Sequence, residues 1–153
     1  MKRPFKAYLN FVFFFLTLAV ISCKDKEDST PADTSKVTGL TLTLDTIKKG
    51  HQDANASLED AAGIKGKTGS TITLDNNGFY AGTLVLTDAT ETPAATVTSD
   101  YNITYLITGA DATISASGST PTITTKAAGS GILTITMTKD SKNTVVSFPL
   151  TIR

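Results

Sequence analysis

The chain has 153 residues, room for one ordinary domain, and its single cysteine rules out an intrachain disulfide framework. Its 14 basic and 14 acidic residues cancel only in sum: Lys2, Arg3 and Lys6 precede every acidic residue, and from residue 23 onward 11 basic residues face 14 acidic ones. That mildly acidic remainder excludes the basic footprint of a nucleic-acid binder. Aromatic residues crowd the N-terminus, leaving Phe79, Tyr80, Tyr101, Tyr105 and Phe148 for the rest, with no tryptophan. A core must therefore be built from Ile, Leu, Val and Ala.

Residues 1–6 are positively charged, and Leu9 to Ile21 is apolar except for Asn10 and Thr17. The run is short for a bilayer span, which needs roughly 20 apolar residues. A basic start and a short apolar run predict a secretory signal peptide over 1–22. The run ends in Val20-Ile21-Ser22-Cys23. These four residues resemble the lipobox of bacterial lipoproteins. The resemblance implies cleavage before Cys23, diacylglycerol on its thiol, and anchoring to a membrane. Lys24 in place of Asp after the cysteine implies the outer membrane.

Residues 23–36 are charged and rich in Ser and Thr, with no apolar period, which predicts a disordered tether. The 13 residues after the cysteine reach at most about 40 Å when extended. The cluster Lys24, Asp25, Lys26, Glu27 and Asp28 resembles the surface-export signal of Bacteroidota-type lipoproteins. A solvated spacer facing the periplasm is the alternative. Asp28-Ser29-Thr30 and Asp45-Thr46-Ile47 resemble the O-glycosylation triplets of the same group, which marks Ser29 and Thr46 as candidate acceptors.

From residue 37 to 153 the dominant signal is period-two alternation. Leu40, Leu42 and Leu44 alternate with threonines, as do Ile72 and Leu74, and then Leu133, Ile135 and Met137. Leu84 and Leu86 flank Val85, Tyr101, Ile103, Tyr105 and Ile107 share one face, Ala112, Ile114 and Ala116 alternate with Thr113 and Ser115, and Val146, Phe148, Leu150 and Ile152 close the chain. Asn76-Asn77-Gly78 suits a hairpin turn, and Gly109-Ala110-Asp111, Gly118-Ser119 and Gly129-Ser130-Gly131 read as further turns. The 69–88 stretch and the 118–140 stretch echo one another as two hairpins of one pattern. Eight or nine short strands at this spacing predict an all-β fold, an antiparallel β-sandwich. Pro149 predicts that the last strand is an edge or is bulged there. Residues 47–69 read as a long loop with a short helical stretch over Asp53–Ala62, and as the first place to look for a contact surface. Thr122-Ile123-Thr124-Thr125, Gly129 and Leu133 to Met137 resemble the late strands of bacterial immunoglobulin-like domains, without a Cys-Trp-Cys spacing.

Chemistry-bearing residues are sparse. His51, the one histidine, lies in a polar loop and reads as a solvated residue rather than a base or ligand. With Cys23 lipidated no thiol is left for zinc or catalysis, so no metal site is assigned. Asp75-Asn76-Asn77-Gly78 lacks the spacing of a calcium loop. Asp88 with Glu91, and Asp100 with Asp111, are the candidate Ca²⁺ ligands. Phe79 and Tyr80, beside a turn, are the candidate glycan contacts, whereas Tyr101 and Tyr105 read as core. The pattern argues against an enzyme. It leaves an envelope module that binds or assembles with a protein, or a glycan-binding accessory lipoprotein of a polysaccharide-uptake system.

Overall fold

The threonine-rich alternation builds two stacked sheets. The computed structural model describes residues 36–153. The strands are β1 (Gly39–Thr46), β2 (Ala54–Glu59), β3 (Ile72–Leu74), β4 (Phe79–Asp88), β5 (Ala95–Thr96), β6 (Asn102–Thr108), β7 (Ala112–Ser117), β8 (Thr120–Thr125), β9 (Gly129–Lys139) and β10 (Lys142–Ile152), with a 3₁₀ turn at Thr98–Asp100. One sheet runs β2-β1-β4-β8-β7, with β5 on β4, and the other runs β3-β10-β9-β6. Every pairing is antiparallel except β3 on β10. The fold is an all-β sandwich.

Alternation selects the core. Leu40, Leu42 and Leu44 of β1 and Tyr80, Leu84 and Leu86 of β4 point inward from one sheet. Leu133, Ile135 and Met137 of β9 and Val146, Phe148, Leu150 and Ile152 of β10 meet them from the other. Each fully enclosed Leu, Ile or Phe contributes about 1.5–3 kcal/mol of burial. With no disulfide available, this layer of aliphatics holds the sandwich closed.

Four expectations change. Residues 54–59 form a strand, not helical turns: Ala54 and Ala56 turn inward while Asn55 and Ser57 face solvent. The alternation is faint in the sequence because alanine is small, and pairing with β1 overrides helix propensity. Nor do the two echoing stretches form hairpins. Each crosses from one sheet to the other, β3 to β4 and β8 to β9. Gly129-Ser130-Gly131 lies inside β9 and pairs with Leu150 to Ile152. Two-residue hairpins instead join β7 to β8 through Gly118-Ser119 and β9 to β10 through Asp140 and Ser141, the latter at φ 49° and 63°, the left-handed pair of a type I′ turn.

The fourth change concerns Pro149. Its strand β10 is interior, between β3 and β9, and pairs with β9 without a break through Pro149↔Ile132. The Ser147 amide donates to the Lys67 carbonyl on the β3 side at 3.1 Å. Two residues on, the Pro149 nitrogen faces the same side. There the neighbouring segment carries one extra residue, since pairing slips from Thr68↔Ser147 to Ile72↔Leu150. The irregularity sits beside the proline strand, where the missing donor disrupts no ladder bond.

Candidate functional site

The sandwich has two lateral sides. On one, β2 lies near β3. Residues 60–71 close it, with Ile64 fully buried and the Gly66 amide donating to the Val145 carbonyl at 2.7 Å. Ile64 anchors this segment to the core, while most residues of the 47–69 stretch stay exposed. β2 ends in Glu59, followed by Asp60, and β3 has three residues; charge and shortness both blunt an edge.

On the other side β6 lies near β7. Neither strand carries a charge, and each ends its sheet with a neighbour on one flank only, β9 beside β6 and β8 beside β7. Tyr101, Tyr105 and Ile107 from the β6 side, and Ala112 and Ile114 from β7, pack on the core yet stay half-buried. Burial pushes the Tyr105 phenol well above its ordinary range, and its hydroxyl donates to the Gly118 carbonyl at 3.1 Å. Leu106, on the outer face of β6, is 58% exposed. Lys139 pairs with Asp100 at 3.1 Å and lies 5.7 Å from the Tyr101 ring centre, and Asp111 lies in the β6–β7 connection, so charge sits at the ends of this side and not within its strands.

One end of the sandwich carries a polar junction that sequence reasoning missed. Asp75, just past β3, accepts from the Gln52 amide at 3.0 Å and from Arg153 Nε at 3.2 Å. The Gln52 hydrogen bond, reinforced by Arg153, outweighs burial and holds the Asp75 carboxyl below the usual range. The His51 side chain is 17% exposed, with Nδ1 3.7 Å from Asp75 Oδ2 and no hydrogen bond. His51 is thus packed into the junction rather than solvated. The Asp75 amide donates to the Tyr80 hydroxyl at 2.8 Å, and the Thr125 hydroxyl donates to the Asp75 carbonyl at 2.6 Å. Residues from both sheets converge here, but nothing in their spacing marks them, because the partners are far apart in the chain.

Tyr80 is fully buried and sits in the core, which corrects its assignment as a glycan contact. It follows from strand phase: Tyr80 shares the inward face of β4 with Leu84 and Leu86, whereas Phe79 takes the outer face and is 39% exposed. Ile47 lies opposite Phe79, donating its amide to the Phe79 carbonyl at 2.9 Å, and is 61% exposed. The candidate acceptor Thr46 ends β1 half-buried, its hydroxyl donating to the Lys48 carbonyl at 3.2 Å. Cys23, the Lys24 to Asp28 cluster and Ser29 lie outside the described residues.

Two of the candidate Ca²⁺ ligands, Asp88 and Asp100, are engaged by protein donors. Asp88 is fully enclosed at the inward end of β4. Burial alone would raise its carboxyl, but the Thr90 hydroxyl at 2.6 Å, the Thr90 amide and the Lys36 amide, both at 2.9 Å, leave it lowered. Asp100 is held by Lys139. Among the described residues no three His, Cys, Asp or Glu side chains gather as a metal-holding group. A shallow, open depression of about 400 Å³ lies beside Gly39, Glu59, Asp60 and Thr87, where Asp60 pairs with Lys67 at 2.9 Å. No family model, curated protein or solved structure matches the chain.

Proposed function

We propose that the chain is a membrane-anchored lipoprotein whose sandwich, an immunoglobulin-like module, binds or assembles with another envelope protein at the cell surface. Two features support this reading. Val20-Ile21-Ser22-Cys23 after a short apolar run supplies the anchor. The β6/β7 side, uncharged and half-open, supplies the contact surface, and it carries the functional part of the proposal. An uncharged edge strand with an exposed leucine is the feature that solitary sandwiches usually blunt. A partner strand added at β6 would continue the sheet and cover Ile107 and Tyr105. The glycan alternative is weaker because Tyr80 is core, so its platform reduces to Phe79.

Two measurements test the two halves. Radiolabelled fatty acid incorporation and membrane fractionation of Cys23→Ala test the anchor; retained label or retained membrane association refutes it. Photo-crosslinkers placed at Leu106 and at Thr41, on the outer face of the other sheet, test the surface in intact cells. A crosslinked band from position 106 and none from 41 is expected; equal bands, or none from either, refute the β6/β7 side.

A further inference from the structure

Asn77-Gly78 is the one Asn-Gly dipeptide in the chain, and it forms the crossing between β3 and β4. In such a dipeptide the glycine amide nitrogen can attack the asparagine side-chain carbonyl, because no side chain on the following residue hinders the approach. Asn77 is exposed, at φ 52°, and among the described residues its side-chain Nδ2 donates only to the neighbouring exposed Asn76 Oδ1, at 3.5 Å. Gly78 is buried. Its N–H donates to Thr125 Oγ1 at 2.7 Å, and its carbonyl accepts from the Thr125 amide at 3.1 Å. The Thr125 hydroxyl is itself fixed by donating to the Asp75 carbonyl, and Thr125 is 2% exposed. The electrophile is therefore open to water while the nucleophile is held and shielded.

We propose that Asn77 is a latent site of deamidation and isoaspartate formation, gated by Thr125. The Gly78 amide loses its proton to a water base, and its nitrogen bonds to Asn77 Cγ. The Cγ–Nδ2 bond breaks and ammonia leaves, forming a succinimide. Water then opens either carbonyl of the ring, giving Asp or isoaspartate. The net change is one water consumed and one ammonia released, with no redox step. As long as the Gly78 N–H points at Thr125 Oγ1, the first proton cannot leave, so ageing requires local opening of the crossing. Lys48 Nζ, donating to the Asn77 carbonyl at 2.5 Å, braces the same turn. The product matters for the fold: it places a new carboxylate two residues from Asp75, and the isoaspartate form lengthens the backbone at the crossing by one carbon.

The test follows ammonia loss at Asn77 by peptide mapping, each event adding about 1 Da to the peptide. Folded wild-type protein, the same protein in urea, Thr125→Ser and Thr125→Val are incubated side by side at mildly alkaline pH. Thr125→Ser keeps the hydroxyl and is expected to age like the wild type. Thr125→Val keeps the branched shape without the acceptor and is expected to age roughly tenfold faster, as is the chain in urea. Equal rates for folded and urea-treated wild type overturn the gate. So does a Thr125→Val protein that is folded by circular dichroism yet ages at the wild-type rate. If Thr125→Val does not fold, the urea comparison and Thr125→Ser still decide: a Ser variant that ages as fast as the unfolded chain overturns the proposal.

Discussion

Gly69→Ala isolates a single packing contact. The Gly69 amide donates to the Ser147 carbonyl at 2.8 Å, so its backbone is fixed against β10. A Cβ built there falls 2.5 Å from Phe148 Cδ1 and nearer still to Cε1. Carbon atoms pack at about 3.5–4.0 Å, so the ring must move by an ångström or more. Phe148 is fully enclosed and has no free space to move into. Overpacking of this kind costs about 1–3 kcal/mol, and a cost near 2 kcal/mol lowers Tm by about 6–12 °C for a domain of this size. Thermal and urea unfolding followed by circular dichroism read the change. The contact predicts its own rescue: in a Phe148→Leu background, itself destabilised, adding Gly69→Ala is expected to cost at least about 1 kcal/mol less than in the wild type. A neutral Gly69→Ala, or the same cost in both backgrounds, refutes the steric reading.

Asp88→Ala strips the acceptor from the Lys36 amide and from both Thr90 donors, and is expected to cost about 2–3 kcal/mol by urea unfolding; a change within about 0.5 kcal/mol contradicts the buried network. Tyr80→Phe removes the acceptor of the Asp75 amide, for an expected loss of about 1 kcal/mol with the fold intact by circular dichroism, and an unchanged urea midpoint counts against that bond. The Asp60, Asp75 and Asp88 carboxyls are all held below the ordinary value in the folded chain. The folded state therefore binds fewer protons than the unfolded one as the medium turns acidic. Their contribution is full above the unfolded carboxyl pKa of about 3.9 and is lost as pH falls through the lower folded values. Urea midpoints that stay level from about pH 6 down to about pH 2 contradict this, and Arg153→Gln is expected to reduce, without abolishing, the part due to Asp75, because the Gln52 amide still holds it.

Strand existence was legible where bulky aliphatics alternate with threonine, as in Leu40 to Leu44 and Leu133 to Met137. β2 was not, because Ala54 and Ala56 carry little apolar signal and only their pairing with β1 declares the strand. Sheet membership was not legible at all. Asn77 does take the left-handed conformation expected of the turn, but turn residues are local, while the choice between a hairpin and a crossing is made by which distant strand offers a complementary buried face. Ile72 and Leu74 find Leu150 and Ile152 rather than β4. Tyr80 was misplaced for a related reason: beside a turn, one residue of phase decides between surface and core. The polar junction joins residues 51, 52, 75, 80, 125 and 153, a set that no spacing rule connects.

The interior position of β10 also governs when the domain can form. A chain that emerges N-terminus first can pair β1 with β2 and β4 early, but β3 and β9 have no completed sheet until residues 142–152 arrive. Contacts of such long sequence separation form slowly. The second sheet therefore cannot close until almost the last strand of the described residues, and a chain ending before Lys142 is expected to remain protease-sensitive.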